Sequence, residues 1–122
     1  MTQLRQLSEN LCDKAKTITE GASLVLNQAP LTDAQREDME AVRKASQEFH
    51  RTLLALPPLD QTRDPELLSH TRHQLRNYLN IVVGMTRIMI RELPDNLLLQ
   101  MATVRTMHQN GQELMTEVDQ LR

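Results

Sequence analysis

A chain of 122 residues with 39% hydrophobic side chains, 2% aromatics and three glycines has the length of one domain. Its composition suits packed helices and not a sheet, whose strands draw on β-branched and aromatic residues. Fourteen basic and sixteen acidic residues leave a formal net charge of -2, so no broad positive field is available to hold nucleic acid. Cys12 is the single cysteine and excludes an internal disulfide, while no apolar run nears the roughly 20 residues that span a bilayer. With no apolar signal segment after Met1, a soluble, cytoplasmic protein is expected.

The first predicted helix carries Leu4, Leu11, Ile18 and Val25 at intervals of seven, with Leu7, Ala15 and Ala22 completing the stripe. Lys14, Lys16 and Glu20 lie largely outside it, which makes an amphipathic helix of about 25 residues. It ends between Asn27 and Pro30, because proline cannot continue a helix and biases its predecessor away from helical geometry. Thr32 and Gln35 then form a capping-box pattern that starts a second helix. Its seam is Met39, Val42, Ser46, Phe49, Leu53 and Leu56, and Pro57-Pro58 stops it.

Leu59 to Arg63 reads as a short extended linker. Asp64-Pro65-Glu66 supplies N-cap, first-position proline and first-turn acid for a third helix. That helix has a seam of Leu68, Leu75, Val82 and Met89, flanked by Leu79, Val83 and Ile90. Leu93-Pro94-Asp95 punctuates it, with Asp95 as the expected N-cap of a fourth helix bearing Leu97, Met101, Val104, Met107, Leu114, Val118 and Leu121.

Short loops between long helices make sequential neighbours antiparallel. The expected fold is all-α, an up-down-up-down antiparallel four-helix bundle in one domain spanning 1–122. It divides into a hairpin at 1–56, a linker at 57–64 and a hairpin at 65–122. The hairpins resemble each other by pattern: setting Gly21 over Gly84, and Val42 to Ser46 over Met107 to Gly111, keeps the stripes roughly aligned and implies a pseudo-twofold bundle. In that alignment Asn10 occupies the position of His73. Gly84 and Gly111 are expected to permit close helix approach.

With Leu75, Leu79 and Val82 facing the core, His73, Asn77, Asn80, Gly84 and Arg87 fall on the opposite surface of the third helix as a nearly continuous polar strip. A histidine held in solvent on a rigid helix, with an amide one turn away, suits in-line phosphoryl transfer: the imidazole nitrogen is accessible, and the amide can position phosphate oxygens or water. His70 and His73 stand three residues apart with no third ligand nearby in sequence, so no metal site and no cofactor are expected. His50 and His108 are expected on helix surfaces or seam edges, and Cys12 as an ordinary helical thiol.

The run from His73 to Gly84 resembles the phosphoacceptor box of the dimerization and histidine-phosphotransfer domain of sensor histidine kinases. It matches at His73, Leu75, Arg76, Asn77, Leu79, Asn80, Ile81, Val82, Val83 and Gly84, with the histidine-to-glycine spacing intact. Met107 to Met115 is similar to that family's second-helix pattern. The likeness covers residues 66 to 122, and residues 1 to 56 only as a degenerate hairpin.

The resemblance implies His73 as phosphoacceptor, Asn77 as an aid to dephosphorylation, and Arg72, Arg76 and Asn80 as contacts for a response-regulator receiver domain. It also implies a monomer that imitates the family's dimer, since one chain supplies both hairpins. Gln74 stands where the family has an acidic general base, and an amide cannot take a proton. Tyr78 stands where the family has a kinking proline, so this helix should run straighter. No ATP-binding domain or glycine-rich phosphate loop occurs in these residues, so the expected activity is phosphotransfer at most and not that of a complete kinase. The alternative expectation is a scaffold or regulatory interaction domain without phosphorylation, within a longer signalling protein.

Overall fold

The computed structural model describes residues 2–28, 30–57 and 64–121, with side chains from residue 5 onward. Four helices follow in order, α1 (Thr2–Gln28), α2 (Asp33–Leu54), α3 (Pro65–Glu92) and α4 (Leu98–Val118). The expected linker at 59–63 lies outside the described residues.

The helix starts follow local chemistry. The Thr32 hydroxyl accepts from the Gln35 amide at 3.1 Å while the Gln35 side chain accepts from the Thr32 amide at 3.0 Å, closing the capping box on α2. Asp64 Oδ1 accepts from the amides of Glu66 at 3.0 Å and Leu67 at 3.3 Å, with Pro65 in the first turn. At the other end of α1, the Arg36 guanidinium donates to the Leu26 carbonyl at 3.3 Å. That bond satisfies one of the acceptors a helix terminus leaves open.

Asp95 is not the N-cap of α4. The chain first makes a turn in which the Leu97 amide donates to the Pro94 carbonyl at 3.1 Å, so the helix starts later. Leu97 becomes the cap residue and has no side-chain cap bond.

Each helix borders two others, α1 and α3 both lying between α2 and α4. Thr19 on α1 meets Ser46 on α2, Lys14 on α1 meets Glu117 on α4, and Arg76 on α3 meets Asp119 on α4. These pairings run antiparallel, and α3 therefore runs antiparallel to α2 as well. The result is an all-α four-helix bundle closed within one chain.

The core follows the predicted stripes. Leu7, Leu11, Ala15, Ile18, Ala22 and Val25 are buried on α1. Met39, Val42, Ala45, Phe49 and Leu53 are buried on α2, and Leu68, Leu75, Leu79, Val82 and Met89 on α3. Val104, Met107, Leu114 and Val118 follow on α4, with Leu121 just beyond it. Each such large aliphatic stabilises the fold by about 1.5–3 kcal/mol relative to an exposed position. Ser46 is a polar member of the α2 seam, and its hydroxyl is satisfied at 2.7 Å by Thr19 and at 3.0 Å by the Arg43 carbonyl.

Burial also sets the register of the two hairpins. Leu11, Ile18, Ala22 and Val25 occupy the places of Leu75, Val82, Thr86 and Met89, and Val42, Phe49 and Leu53 those of Met107, Leu114 and Val118. In this register Thr19 against Ser46 corresponds to Val83 against Gly111. The alignment of Gly21 over Gly84 is therefore one residue out, and the counterpart of His73 is Glu9, not Asn10. The glycines differ accordingly. A Cβ at Gly111 would lie 3.1 Å from Val83 Cγ2 and 3.2 Å from Val82 Cγ1, so Gly111 does permit close approach of α3. Gly84 does not: a Cβ there meets no atom within 4 Å.

Candidate functional site

His73 lies in the third turn of α3 and is exposed. Its ring makes no hydrogen bond or ion pair among the described residues. It borders a shallow surface depression with Pro65, Glu66, Ser69 and His70, all on the outward face of the first turns of α3. Asn77 and Asn80 are exposed further along the helix, so His73, Asn77 and Asn80 do share the solvent face.

That face is not continuously polar. Ile81 is 39% exposed and Ile88 38%, and they interleave with Asn80, Gly84 and Arg87. The strip is thus polar around His73 and becomes mixed from Ile81 onward, with Gly84 leaving an open step between the isoleucines.

The two arginines beside His73 turn inward to α4. Arg76 donates to Asp119 Oδ1 at 2.6 Å, and the half-buried Arg72 donates to the Leu121 carbonyl. Both therefore hold the C-terminal end of α4 against the histidine turn, and Arg72 satisfies a carbonyl just past the helix end. Arg72, Arg76, His73 and Asn77 form one neighbourhood, but only His73 and Asn77 present side chains without a partner among the described residues. Gln74 is half-buried beside them. The carboxylate that shares the histidine's depression is Glu66, nearly two turns toward the helix start.

A second histidine is held more closely. His108 on α4 is half-buried, with Nδ1 2.8 Å from Thr86 Oγ1 on α3. Thr86 is fully buried and its hydroxyl lies 2.7 Å from the Val82 carbonyl, to which it donates. With that hydrogen committed, the Thr86 oxygen is an acceptor for His108, and Nδ1 carries the hydrogen. Burial foremost, and the positive charge of Arg87, hold the His108 pKa below the usual imidazole value, against the opposing effect of the Val83 carbonyl, which accepts from the ring. The Thr86 position was legible, since 75, 79, 82, 86 and 89 step by four and three along one face. Its pairing with His108 was not.

Lys14 was placed outside the α1 stripe, yet it crosses to α4, contacting Glu117 and reaching Glu113 Oε2 at 3.1 Å. Burial works to lower its pKa, but the bonds to both glutamates prevail and raise it. Cys12 is half-buried, and burial followed by the charge of Asp13 raises its thiol pKa. It is an inert setting for a thiol.

Among the described residues no group of three or more His, Cys, Asp or Glu is placed to hold a metal ion, and no helix is long and apolar enough to cross a membrane. No family model matches the chain, and no curated protein or solved structure shows significant similarity to it.

Proposed function

We propose that this chain is a signal-transduction module of the two-component type, a phosphotransfer-like helical bundle related to the dimerization and histidine-phosphotransfer domains of sensor kinases. It docks a response-regulator receiver domain over the start of α3, and His73 exchanges a phosphoryl group with a receiver aspartate. The observation that carries this reading is the exposed, unbonded imidazole of His73 on a rigid helix with the Asn77 amide one turn on. A nucleophilic ring nitrogen and a polar group able to orient phosphate oxygens are what an in-line transfer requires of the acceptor. Asn80 adds a polar contact on the same face, while Arg72 and Arg76 support the site by fixing α4 behind it. One chain supplies both hairpins, so the working form is a monomer.

A second reading has its own support. Gln74 provides no base beside His73, and both neighbouring arginines are engaged within the bundle. On that reading the scaffold persists as a non-phosphorylated interaction domain in a longer cytoplasmic signalling protein. Incubation with receiver domains charged by acetyl phosphate separates the two. Acid-labile, base-stable label on the wild type that is lost in His73→Ala supports phosphotransfer. Absence of label across receivers that nevertheless bind leaves the interaction domain.

A further inference from the structure

On the far side of the bundle from α3, α1 and α2 enclose an open cavity of about 570 Å³, within the size range of about 300–1,000 Å³ typical of small-molecule sites. Lys16, Thr19 and Glu20 form one wall, and Gln47, His50, Arg51 and Leu54 the other. The polar ends divide into two groups. The Thr19 hydroxyl is occupied by Ser46 and the Ala15 carbonyl, and Arg51 by Glu48 at 2.7 Å. Lys16, Glu20, Gln47 and His50 have no hydrogen bond or ion pair among the described residues.

Lys16 and Glu20 stand four residues apart on one helix, where opposite charges often pair. The order with lysine first is the less favourable one, and no ion pair forms between them. The cavity thus presents the Lys16 ammonium, the His50 imidazole and the Gln47 amide from facing helices, with the charge of Arg51 at the edge. Leu54 closes the end of the α2 wall and is 66% exposed. Such a side chain in the last turn of α2 adds nothing to the core, but it offers an apolar surface next to the cations. The stems of Lys16 and Arg51 extend that surface.

We propose that this cavity binds a small organic anion carrying an aliphatic arm. Lys16 and His50 receive the headgroup, Gln47 donates to it, and Leu54 covers the arm. Carboxylate and phosphate headgroups share the required chemistry, since both accept charge-assisted hydrogen bonds from an ammonium and a ring N–H. Glu20, one turn beyond Lys16 on the same wall, disfavours a second negative charge and sets the preference for a monoanion. The site is independent of His73 and of whatever α3 does.

The test is an amide-resolved NMR titration of the whole chain with octanoate and with octyl phosphate, with octylammonium as the control of equal length. Saturable shifts confined to residues 16–20 and 47–54, with a dissociation constant of about 1 mM or tighter, are expected for octanoate. Octylammonium should bind at least about tenfold more weakly, and Lys16→Gln should weaken octanoate by about tenfold, while His73→Ala leaves it unchanged. A stronger response to octyl phosphate than to octanoate at pH 6, where both are monoanions, identifies phosphate as the headgroup. Unsaturable shifts, shifts centred on other exposed leucines, equal binding of octylammonium, or an unaltered affinity in Lys16→Gln would each overturn the proposal.

Discussion

Thr86 and His108 join α3 to α4 through a 2.8 Å contact in which a buried hydroxyl, already donating to the Val82 carbonyl, accepts the Nδ1 hydrogen of the imidazole. The neutral ring and the imidazolium can both donate from Nδ1, and it is burial together with Arg87 that holds the pKa of His108 below its ordinary value of 6.5. In the window below 6.5 the unfolded chain therefore binds more protons at this residue than the folded one. The stability that depends on the neutral ring is complete above 6.5 and is lost as pH falls toward the folded value. Urea unfolding between pH 7.5 and 5 should show the wild type losing more stability than His108→Gln over that interval, and equal slopes would contradict it. At pH 7.5, Thr86→Val should cost about 1 kcal/mol, because the half-buried His108 N–H loses the hydroxyl oxygen that accepts from it.

The Lys14 cluster predicts a different pattern. Glu117 is only 20% exposed, its Oε2 has no hydrogen-bond partner, and Lys14 is the cation that meets its other oxygen. Replacing the lysine strands a poorly hydrated carboxylate, which costs more than the ion pair itself contributes. Lys14→Met should therefore lower stability by about 1–3 kcal/mol. Adding Glu117→Gln to that variant should restore most of the loss, because the group left behind no longer carries charge. Chemical denaturation of the two variants checks this, and a double variant no more stable than Lys14→Met would refute it.

The fold was largely readable from the chain because its signals are local. The cap residues Thr32, Gln35 and Asp64 act within one turn, and the apolar stripes decide which face each helix buries. Where the reading failed, a residue depended on something distant or on a competing turn. Asp95 lost the N-cap because Pro94 to Leu97 closes a turn first. Gly84 reads as a close-approach glycine because glycine is otherwise costly in a helix interior, but whether a neighbour faces it depends on the rotation of α3 against α2 and α4. Of the candidate site, the exposure of His73, Asn77 and Asn80 followed from the α3 period alone. The engagement of Arg72 and Arg76 did not, since Leu121 and Asp119 lie at the far end of the chain.

The three glycines provide a graded test of packing. Alanine at any of them gains helix propensity worth about 1 kcal/mol. At Gly84 nothing opposes that gain, since an added Cβ meets no atom within 4 Å. Gly84→Ala should stabilise by about 0.5–1 kcal/mol. At Gly21 the new carbon would lie 2.8 Å from Met107 Cγ and 2.9 Å from its Sδ, the middle of a side chain buried in the core, so Gly21→Ala should destabilise by about 1–2 kcal/mol. At Gly111 the opposing groups are Val82 and Val83, whose branched side chains are restricted in a helix. Gly111→Ala should destabilise by about 1–2 kcal/mol. A melting temperature above the wild type for Gly84→Ala and below it for both Gly21→Ala and Gly111→Ala is expected, and a Gly84→Ala no more stable than the other two would show that the helices do not meet in this register.

Gln74 provides the sharpest test of the proposed phosphotransfer. An amide beside His73 holds no proton-accepting charge, so the wild-type ring must lose its proton to water as it attacks, whereas a carboxylate there could take it directly. Gln74→Glu should therefore raise the initial rate of His73 labelling from a phosphorylated receiver by about a hundredfold, the lower end of what a general base contributes. His73→Ala in the same background must abolish the label, which ensures that the gain is read at this residue. On the proposed reading, Asn77→Ala should slow labelling and prolong the lifetime of the phosphohistidine, because the role assigned to its exposed amide is to orient the phosphate oxygens during transfer and the water during hydrolysis. An unchanged labelling rate in Gln74→Glu, with receiver binding intact, would mean that the side chain at position 74 does not reach the reacting nitrogen.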